Sequence, residues 1–188
     1  MLDAAVRRMY DTVLPVPLDE ALVVGDGGGD LPRLAAGATG SHTGIVLHAV
    51  LDDAAAADAR PAVVREAYRL LAPGGVLAAT ATNRIAPARV TGGAGQPARR
   101  RQAPLTYWGY ARLLRRAGFR EITSYAVLPD YERPHWLVST ARVAAGHFYA
   151  SLPAPGGRSG RRLLRGVLDA LGARPYVEPS FLFVARRC

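Results

Sequence analysis

The chain has 188 residues, 49% of them hydrophobic, which is enough to bury the core of one globular domain. Its formal net charge is +9, and every basic side chain is an arginine, so catalysis through a lysine Schiff base is excluded. The single cysteine, Cys188, rules out an internal disulfide or a cysteine-rich metal site. We therefore expect one domain over residues 1–188, with no metal site.

The positive charge has three possible meanings: an anionic substrate, nucleic acid, or a solvated basic surface. The arginine runs have no interleaved aromatic residues, so we expect no nucleic acid partner. No apolar run approaches the roughly 20 residues of a membrane span, and the first residues lack the apolar core of a signal peptide. We expect a soluble, cytoplasmic protein that does not bind membranes.

Hydrophobic spacing and turn residues predict an alternation of helices and strands in the first half of the chain. The predicted elements are a helix over residues 2–12, a strand over 21–24, a helix from Asp30 to before Gly37, a strand over 45–49, a helix over 60–71 and a strand over 76–82. The order indicates an α/β protein with a largely parallel sheet.

The second half is predicted to begin with a loop over residues 86–104, rich in Ala, Gly and Pro, which is a candidate lid. A helix over residues 106–117 follows, capped by Thr106 and ended by Gly118. Strands are predicted over 122–128 and 180–185, and between them lies an insertion over 129–177 with helices at 140–150 and 160–171.

The residues after the first strand, Gly25-Asp-Gly-Gly-Gly-Asp30, are typical of a turn that opens a nucleotide-type site. Such a site normally also needs an acidic residue about 20 positions later, at the end of a second strand, to bind ribose hydroxyls. Residues 37–44 are too short for a further strand and helix and contain no carboxylate. The chain therefore has the glycine turn of the expected nucleotide-type pocket but not the strand with the ribose-binding acid.

Several phrases of the sequence are similar to those of one family. They are residues 25–29, residues 45–51, the run 65–77 with its Leu-Leu-Ala-Pro-Gly-Gly phrase, and the run 113–119 that ends in Ala-Gly-Phe. Together they resemble the class I S-adenosylmethionine-dependent methyltransferase fold. Residues 128–131 and 179–185 are also similar to a bacterial subgroup with a long insertion before the final strand. The resemblance implies a Rossmann-like fold with a reduced sheet of about five strands and a helical insertion.

The resemblance also shows what this chain lacks. Val23 stands where the family usually has a carboxylate, and no segment matches the strands with the ribose-binding acid and the adenine-flanking residues. Only Gly25, Gly27 and Gly29 match as a remnant of the cofactor site. In the family's strand order, the strand over 21–24 would lie inside the sheet, so losing its neighbours makes it an edge. A bare apolar edge invites pairing, so we expect a protein partner, a second copy or another chain, or else a rearranged segment of the same chain, to cover it.

Ligands of open α/β sheets bind outside the carboxyl ends of the strands. His48 is predicted to end a strand there and to act as a base, or else to be satisfied by the neighbouring backbone. Asp26 and Asp30 are further catalytic candidates suited to an amine substrate, whereas Asp52 and Asp53 are predicted to cap the next turn and helix.

Candidate substrate-binding residues are Asn83, Arg84, Tyr107, Trp108, Asp130 and Tyr131, with Arg84 suited to a sulfate or phosphate. Tyr110 and Trp136 are further candidates for the wall of a pocket, and all of these aromatic residues have core packing as their alternative role. His42 and His147 are predicted to lie on the surface.

Three functions fit these features. The first is a small-molecule biosynthetic enzyme that uses the scaffold without a cofactor, closing a ring by displacing an anionic leaving group; by analogy, such reactions in antibiotic pathways include aziridine formation. The second is an S-adenosylmethionine-dependent methyltransferase whose site is completed by a partner or an unusual loop. The third is an inert subunit of a heteromeric enzyme. We rank the first highest because the missing acidic strand removes most of the surface that would bind the cofactor.

Overall fold

Six strands form one sheet in the computed structural model, which describes residues 2–25, 34, 36–52, 58–85, 105–151, 167–168 and 171–188. The strands are β1 (Leu22–Val24), β2 (His42–Leu47), β3 (Leu71–Thr82), β4 (Glu121–Pro129), β5 (Pro134–Ser139) and β6 (Ser180–Arg186). Their order across the sheet is β1-β2-β3-β6-β4-β5. The pairs β1–β2 and β2–β3 are parallel, and the pairs that involve β6, β4 and β5 are antiparallel.

In the described part of the chain, the α-helices of a turn or more are α1 (Ala4–Val13), α2 (Arg60–Leu70), α3 (Tyr107–Ala117) and α4 (Arg142–Ser151). The predicted caps of α3 are confirmed. Thr106 Oγ1 accepts a hydrogen bond from the Gly109 N–H, and Gly118 ends the helix with a left-handed φ of 112°. Among the described helices, none is long and apolar enough to cross a membrane.

The central strands are buried on both faces, which explains their continuous apolar runs. On one face, Ile45, Leu47, Leu77 and Phe183 pack with the inward residues of α2 and α3. On the other face, Val46, Ala78 and Leu182 pack with Val6, Met9 and Tyr10 of α1, as the helical spacing predicts. Burying each large side chain contributes about 1.5–3 kcal/mol, so the two cores fix the helices against the sheet.

Some elements differ from the prediction. The range 129–177 begins with a strand, β5, before it becomes helical in α4, so the sheet has six strands instead of about five. Strand β2 starts at His42 and ends at Leu47, which puts the half-buried His42 inside the sheet rather than on the surface. His147 is exposed, as predicted. Only residues 167–168 of the helix predicted over 160–171 are described, and the predicted lid at 86–104 lies outside the described residues.

Strand β1 lies at the edge of the sheet, where it pairs only with β2 among the described strands. The chain passes from β1 to its direct neighbour β2 through residues 25–41, of which 26–33 and 35 lie outside the described residues. Val24 is fully buried, whereas Leu22 and Val23 are half-buried.

Candidate functional site

A strained turn forms the carboxyl end of β2. After Leu47, His48 is followed by Ala49 with a positive φ of 59°, and then by a single 3-10 turn, Val50–Asp52. A left-handed conformation is unfavourable for a residue with a Cβ, so the surrounding structure must hold it. The His48 N–H donates to the Val24 carbonyl at 2.9 Å, and the Ala49 N–H donates to Thr80 Oγ1 at 2.8 Å. These bonds to β1 and β3 fix the turn.

The imidazole of His48 lies half-buried between two tyrosines. Its Nδ1 is 2.9 Å from the Tyr10 hydroxyl. Its ring meets the rings of Tyr10 and Tyr131 edge to face, with centroids 5.9 and 5.6 Å apart. His48 is therefore held in one orientation by groups from α1 and from the segment after β4.

The Tyr10 hydroxyl is a neutral partner for His48. Tyr10 is fully buried, and this burial raises its pKa, so it stays protonated at neutral pH. A hydrogen bond with Thr80 opposes the rise in pKa in part. When Tyr10 donates to Thr80 and accepts from the Nδ1–H of His48, Nε2 carries the imidazole lone pair. In that arrangement His48 can accept a proton through Nε2.

The carboxylate of Asp52 is the centre of a buried polar group that we call the Asp52 cluster: Asp52, Thr82, Tyr110 and Tyr131. Only 3% of Asp52 is exposed. Its oxygens accept the Thr82 N–H at 2.9 and 3.0 Å, the Tyr131 hydroxyl at 2.8 Å and the Tyr110 hydroxyl at 3.1 Å. The Thr82 hydroxyl also donates to it. The prediction that Asp52 caps the following turn and helix is therefore wrong, because the side chain turns inward to these donors from three elements.

The Asp52 cluster and His48 form one site. Tyr131 donates to Asp52 with its hydroxyl, while its ring packs against His48. Burial, followed by the nearby Asp52 charge, raises the pKa of Tyr110, so its hydroxyl remains a donor. The arrangement fixes a half-buried imidazole beside a buried carboxylate whose hydrogen bonds are satisfied.

Three of the predicted substrate-binding residues, Asn83, Arg84 and Asp130, are not members of the Asp52 cluster. The Asn83 amide donates to the Tyr176 and Glu178 carbonyls, both at 2.9 Å, so it ties the end of β3 to the chain before β6. Arg84 is exposed, and the Asp130 carboxylate accepts the N–H groups of Glu132 and Arg133, which is a local turn. The described hydrogen bonds of the Asn83 and Asp130 side chains are to backbone groups and not to His48.

Tyr107 and Trp108 pack mainly against other aromatic rings. The Tyr107 ring lies 5.3 and 5.5 Å from those of Phe181 and Phe183, and its hydroxyl is 2.9 Å from Ser124 Oγ. Trp108 is 56% exposed and lies against Tyr176. Trp136 is also exposed, so only Tyr131 among the predicted aromatic residues contacts His48.

The glycine turn is only partly described. Gly25 follows β1, whereas Asp26, Gly27, Gly29 and Asp30 lie outside the described residues, as does Asp53. Among the residues described, no group of three or more histidine, cysteine, aspartate or glutamate side chains could hold a metal ion.

Sequence reasoning found His48 and Tyr131, gave Tyr110 as a possible pocket wall and assigned Asp52 to capping, and it missed Tyr10 and Thr82. The rings of Tyr10 and Tyr110 pack in the apolar cores, and helical spacing alone indicates only that packing. The sequence signal for Asp52 is weak: it directly follows the apolar pair Val50 and Leu51, and an aspartate that is fully buried is almost always paired.

No protein-family model matches the sequence, and no curated protein matches it significantly. Solved structures do match the fold. An S-adenosylmethionine-dependent methyltransferase from Thermotoga maritima, described as a possible histamine N-methyltransferase, has a TM-score of 0.57 and 13% identity, over 98% of this chain and 88% of that one. The chain has the class I methyltransferase fold.

A second methyltransferase, from Archaeoglobus fulgidus, has a TM-score of 0.50 and 9% identity, over 84% of this chain but only 64% of that one. Sequence identities this low establish the methyltransferase fold and not an activity. Among the described strands, β1 is an edge of the sheet.

Proposed function

We propose that this protein is a small-molecule biosynthetic enzyme of secondary metabolism that uses the methyltransferase scaffold without methyl transfer. It binds an acyclic substrate in a folded conformation, so that an internal nucleophile displaces an anionic leaving group, sulfate or phosphate, and closes a ring. The observation that carries the proposal is the edge position of β1. With no described strand beyond β1, the fold lacks its usual place for the acid that binds ribose and for one wall of an adenine pocket.

The chemistry needs a base, and His48 supplies one at the carboxyl end of β2. Nε2 of His48 removes the proton from the nucleophile, for example an amine, as its bond to carbon forms. The bond between that carbon and the leaving oxygen breaks at the same time, and its electron pair departs with the sulfate or phosphate. The protonated imidazole is stabilised by the negative charge of the nearby Asp52 cluster.

The residues around His48 support this role by fixing its position. Tyr10 holds Nδ1, and Tyr131 packs against the ring while its hydroxyl is held by Asp52. Orientation of this kind lowers the barrier of an intramolecular displacement, since the reacting atoms are already aligned. Asp26 and Asp30 remain proposed contacts for an amine group of the substrate.

Titration calorimetry with S-adenosylmethionine and S-adenosylhomocysteine tests the absence of the usual cofactor. We expect the folded protein to show no binding in the micromolar range, which corresponds to about −8 kcal/mol. A micromolar dissociation constant would overturn the proposal and establish a substitute cofactor pocket.

Release of inorganic sulfate or phosphate from amino-alkyl sulfate and phosphate esters, followed by ion chromatography, tests the reaction itself. For a substrate that is turned over, we expect His48→Gln to lower kcat by about 10²- to 10⁴-fold, the usual contribution of a general base. His147→Gln is the matched control, because His147 lies on the exposed side of α4. Unchanged kcat in His48→Gln would remove His48 from the mechanism.

The alternative function is a methyltransferase whose cofactor site is completed by a partner. It is favoured by the fold itself, which matches S-adenosylmethionine-dependent methyltransferases along nearly the whole chain. Cofactor binding that appears only when a second protein is added would support this alternative. A subunit without a reaction of its own is a third possibility, and neither ester turnover nor cofactor binding would then be seen under any condition.

A further inference from the structure

Arg60, the first residue of α2, has an unusual environment for a cation. Its side chain turns inward, so that only 6% of the residue is exposed, although Asp58 and Ala59 before it are exposed. Arg60 opens a helix of 11 residues, and its side chain is directed to the 3-10 turn Val50–Asp52. Positive charge is unfavourable at this end of a helix, because the first N–H groups already give it a positive potential.

One hydrogen bond holds the guanidinium in place. Nε of Arg60 donates to the Leu51 carbonyl at 2.6 Å, in the 3-10 turn that also carries Asp52. Nη2 is buried and has no hydrogen-bond partner among the described residues. A buried charged donor without an acceptor is costly, so its presence calls for an acceptor that binds there.

No described carboxylate forms an ion pair with Arg60 within 4.0 Å. Asp52 is the nearby acid, but its oxygens are occupied by Thr82, Tyr110 and Tyr131. The first turn of α2 contains no acidic residue. The neutral donors leave the charge of Asp52 in place, but its oxygens do not accept from Nη2, so the part of the chain that is described supplies no acceptor for this atom.

We propose that Arg60 and the amino end of α2 bind a tetrahedral oxyanion, the sulfate or phosphate group of the substrate. Arginine suits this ligand because its donors form a planar fork that matches two oxyanion oxygens. The amino end of the helix adds its positive potential, although Pro61 has no N–H and the Val63 N–H is bonded to the Ala59 carbonyl. The site adjoins the turn of Asp52, because Nε of Arg60 donates to the Leu51 carbonyl in that turn. This inference rests on the proposed function for the nature of the anion, and it assigns to Arg60 the role that the sequence suggested for Arg84.

Titrations with sodium sulfate and sodium phosphate at constant ionic strength, with sodium chloride as the reference salt, test the site directly. We expect either oxyanion, but not chloride, to bind and to raise the Tm of the wild-type chain. Arg60→Gln should weaken that binding by at least about 10-fold, since it removes a charge-assisted contact. Equal affinity in Arg60→Gln and the wild type, or no difference between the oxyanions and chloride, would overturn the proposal.

Two control variants separate Arg60 from other arginines. Arg65→Gln removes an exposed arginine from the same helix, and Arg84→Gln removes the arginine that the sequence favoured. Both should keep wild-type affinity for sulfate. Loss of affinity in Arg84→Gln together with normal affinity in Arg60→Gln would place the anion at the end of β3 instead.

A direct measurement covers the case in which Arg60→Gln does not fold. In nitrogen-15 spectra of the wild-type chain, the Nε–H signal of Arg60 should move as sulfate is added, and a signal that stays fixed while sulfate binds would contradict the assignment. His48→Gln should bind sulfate normally. Failure of the ring-closing reaction would therefore leave the anion site intact, and failure of the anion site would leave the base at His48 untouched.

Discussion

At the scale of single residues, the most demanding position is Asp52, a buried carboxylate that is stabilised by donors from β3, α3 and the segment after β4. We predict that Asp52→Asn lowers the free energy of unfolding by about 3 kcal/mol, because an amide group would face hydroxyl and N–H donors. Urea unfolding measures this change. Asp58→Asn, at an exposed position, should change stability by less than about 0.5 kcal/mol. A similar small loss in Asp52→Asn would mean that the cluster does not stabilise the fold.

The buried tyrosines predict how stability depends on alkaline pH. Burial raises the pKa of Tyr10 and of Tyr110 above the ordinary value of 10.0. The neutral hydroxyls therefore stabilise the fold fully below about pH 10, and this stabilisation is lost as the pH rises above that value, because the unfolded chain releases the protons first.

In urea unfolding between pH 8 and 11, we expect the free energy of unfolding to fall above about pH 10. Tyr110→Phe should make that fall less steep by up to about 1.4 kcal/mol per pH unit, which corresponds to one proton. Tyrosinate absorbance gives a second measurement, since these two side chains should ionise only as the protein unfolds. An identical slope in Tyr110→Phe and the wild type would show that Tyr110 ionises freely in the folded state.

At the scale of elements, the end of α3 depends on one glycine. Gly118 has a φ of 112°, and a Cβ added there would lie 2.9 Å from Cζ of Tyr68. The Tyr68 ring has little freedom to move, since it packs against Phe119 at 5.0 Å and lies beneath the Arg187 guanidinium. We predict that Gly118→Ala costs about 2 kcal/mol in urea unfolding, from backbone strain together with the steric conflict.

Gly146 offers a matched control inside α4. A Cβ added there would meet no atom within 4 Å, so Gly146→Ala should stabilise the chain by about 0.5–1 kcal/mol. If both alanine variants were equally stable, the left-handed conformation of Gly118 would not be the cause of any difference.

The same elements show where sequence reasoning succeeds. The boundaries of α3 were predictable because Thr106 and Gly118 act locally, through their own backbone and that of neighbours in the chain. The strand β5 was not, because the residues after Leu128 carry no clear alternation and the pairing with β4 supplies what the pattern lacks. The Asp52 cluster was the hardest feature to predict from the sequence, since the residues whose hydroxyls donate to Asp52 lie 30, 58 and 79 positions away along the chain. Contacts of that range are fixed by packing and not by local pattern.

At the scale of the whole molecule, the edge at β1 leads us to predict association with a second chain. Leu22 and Val23 are apolar and only half-buried, and the strand pairs on one side alone among the described strands. Light scattering after size-exclusion chromatography should show a mass above 20.0 kDa, either for the chain alone or with a co-purified partner. Amide exchange over residues 22–24 should be slow in that assembly. A monomer with slow exchange at these amides would show that another segment of the same chain covers the edge.

The place of β6 between β3 and β4 also has a consequence for synthesis in the cell. Strands β3 and β4 leave the ribosome before residues 180–186 are synthesised. Until then, the backbone edge of each strand that later pairs with β6 has no partner. The nascent chain thus has two more unpaired strand edges than the finished protein. Both become paired when β6 inserts between β3 and β4. Until then, the growing polypeptide should be a substrate for chaperones that shield exposed strands, and slow translation of the segment before β6 should lower the yield of native protein.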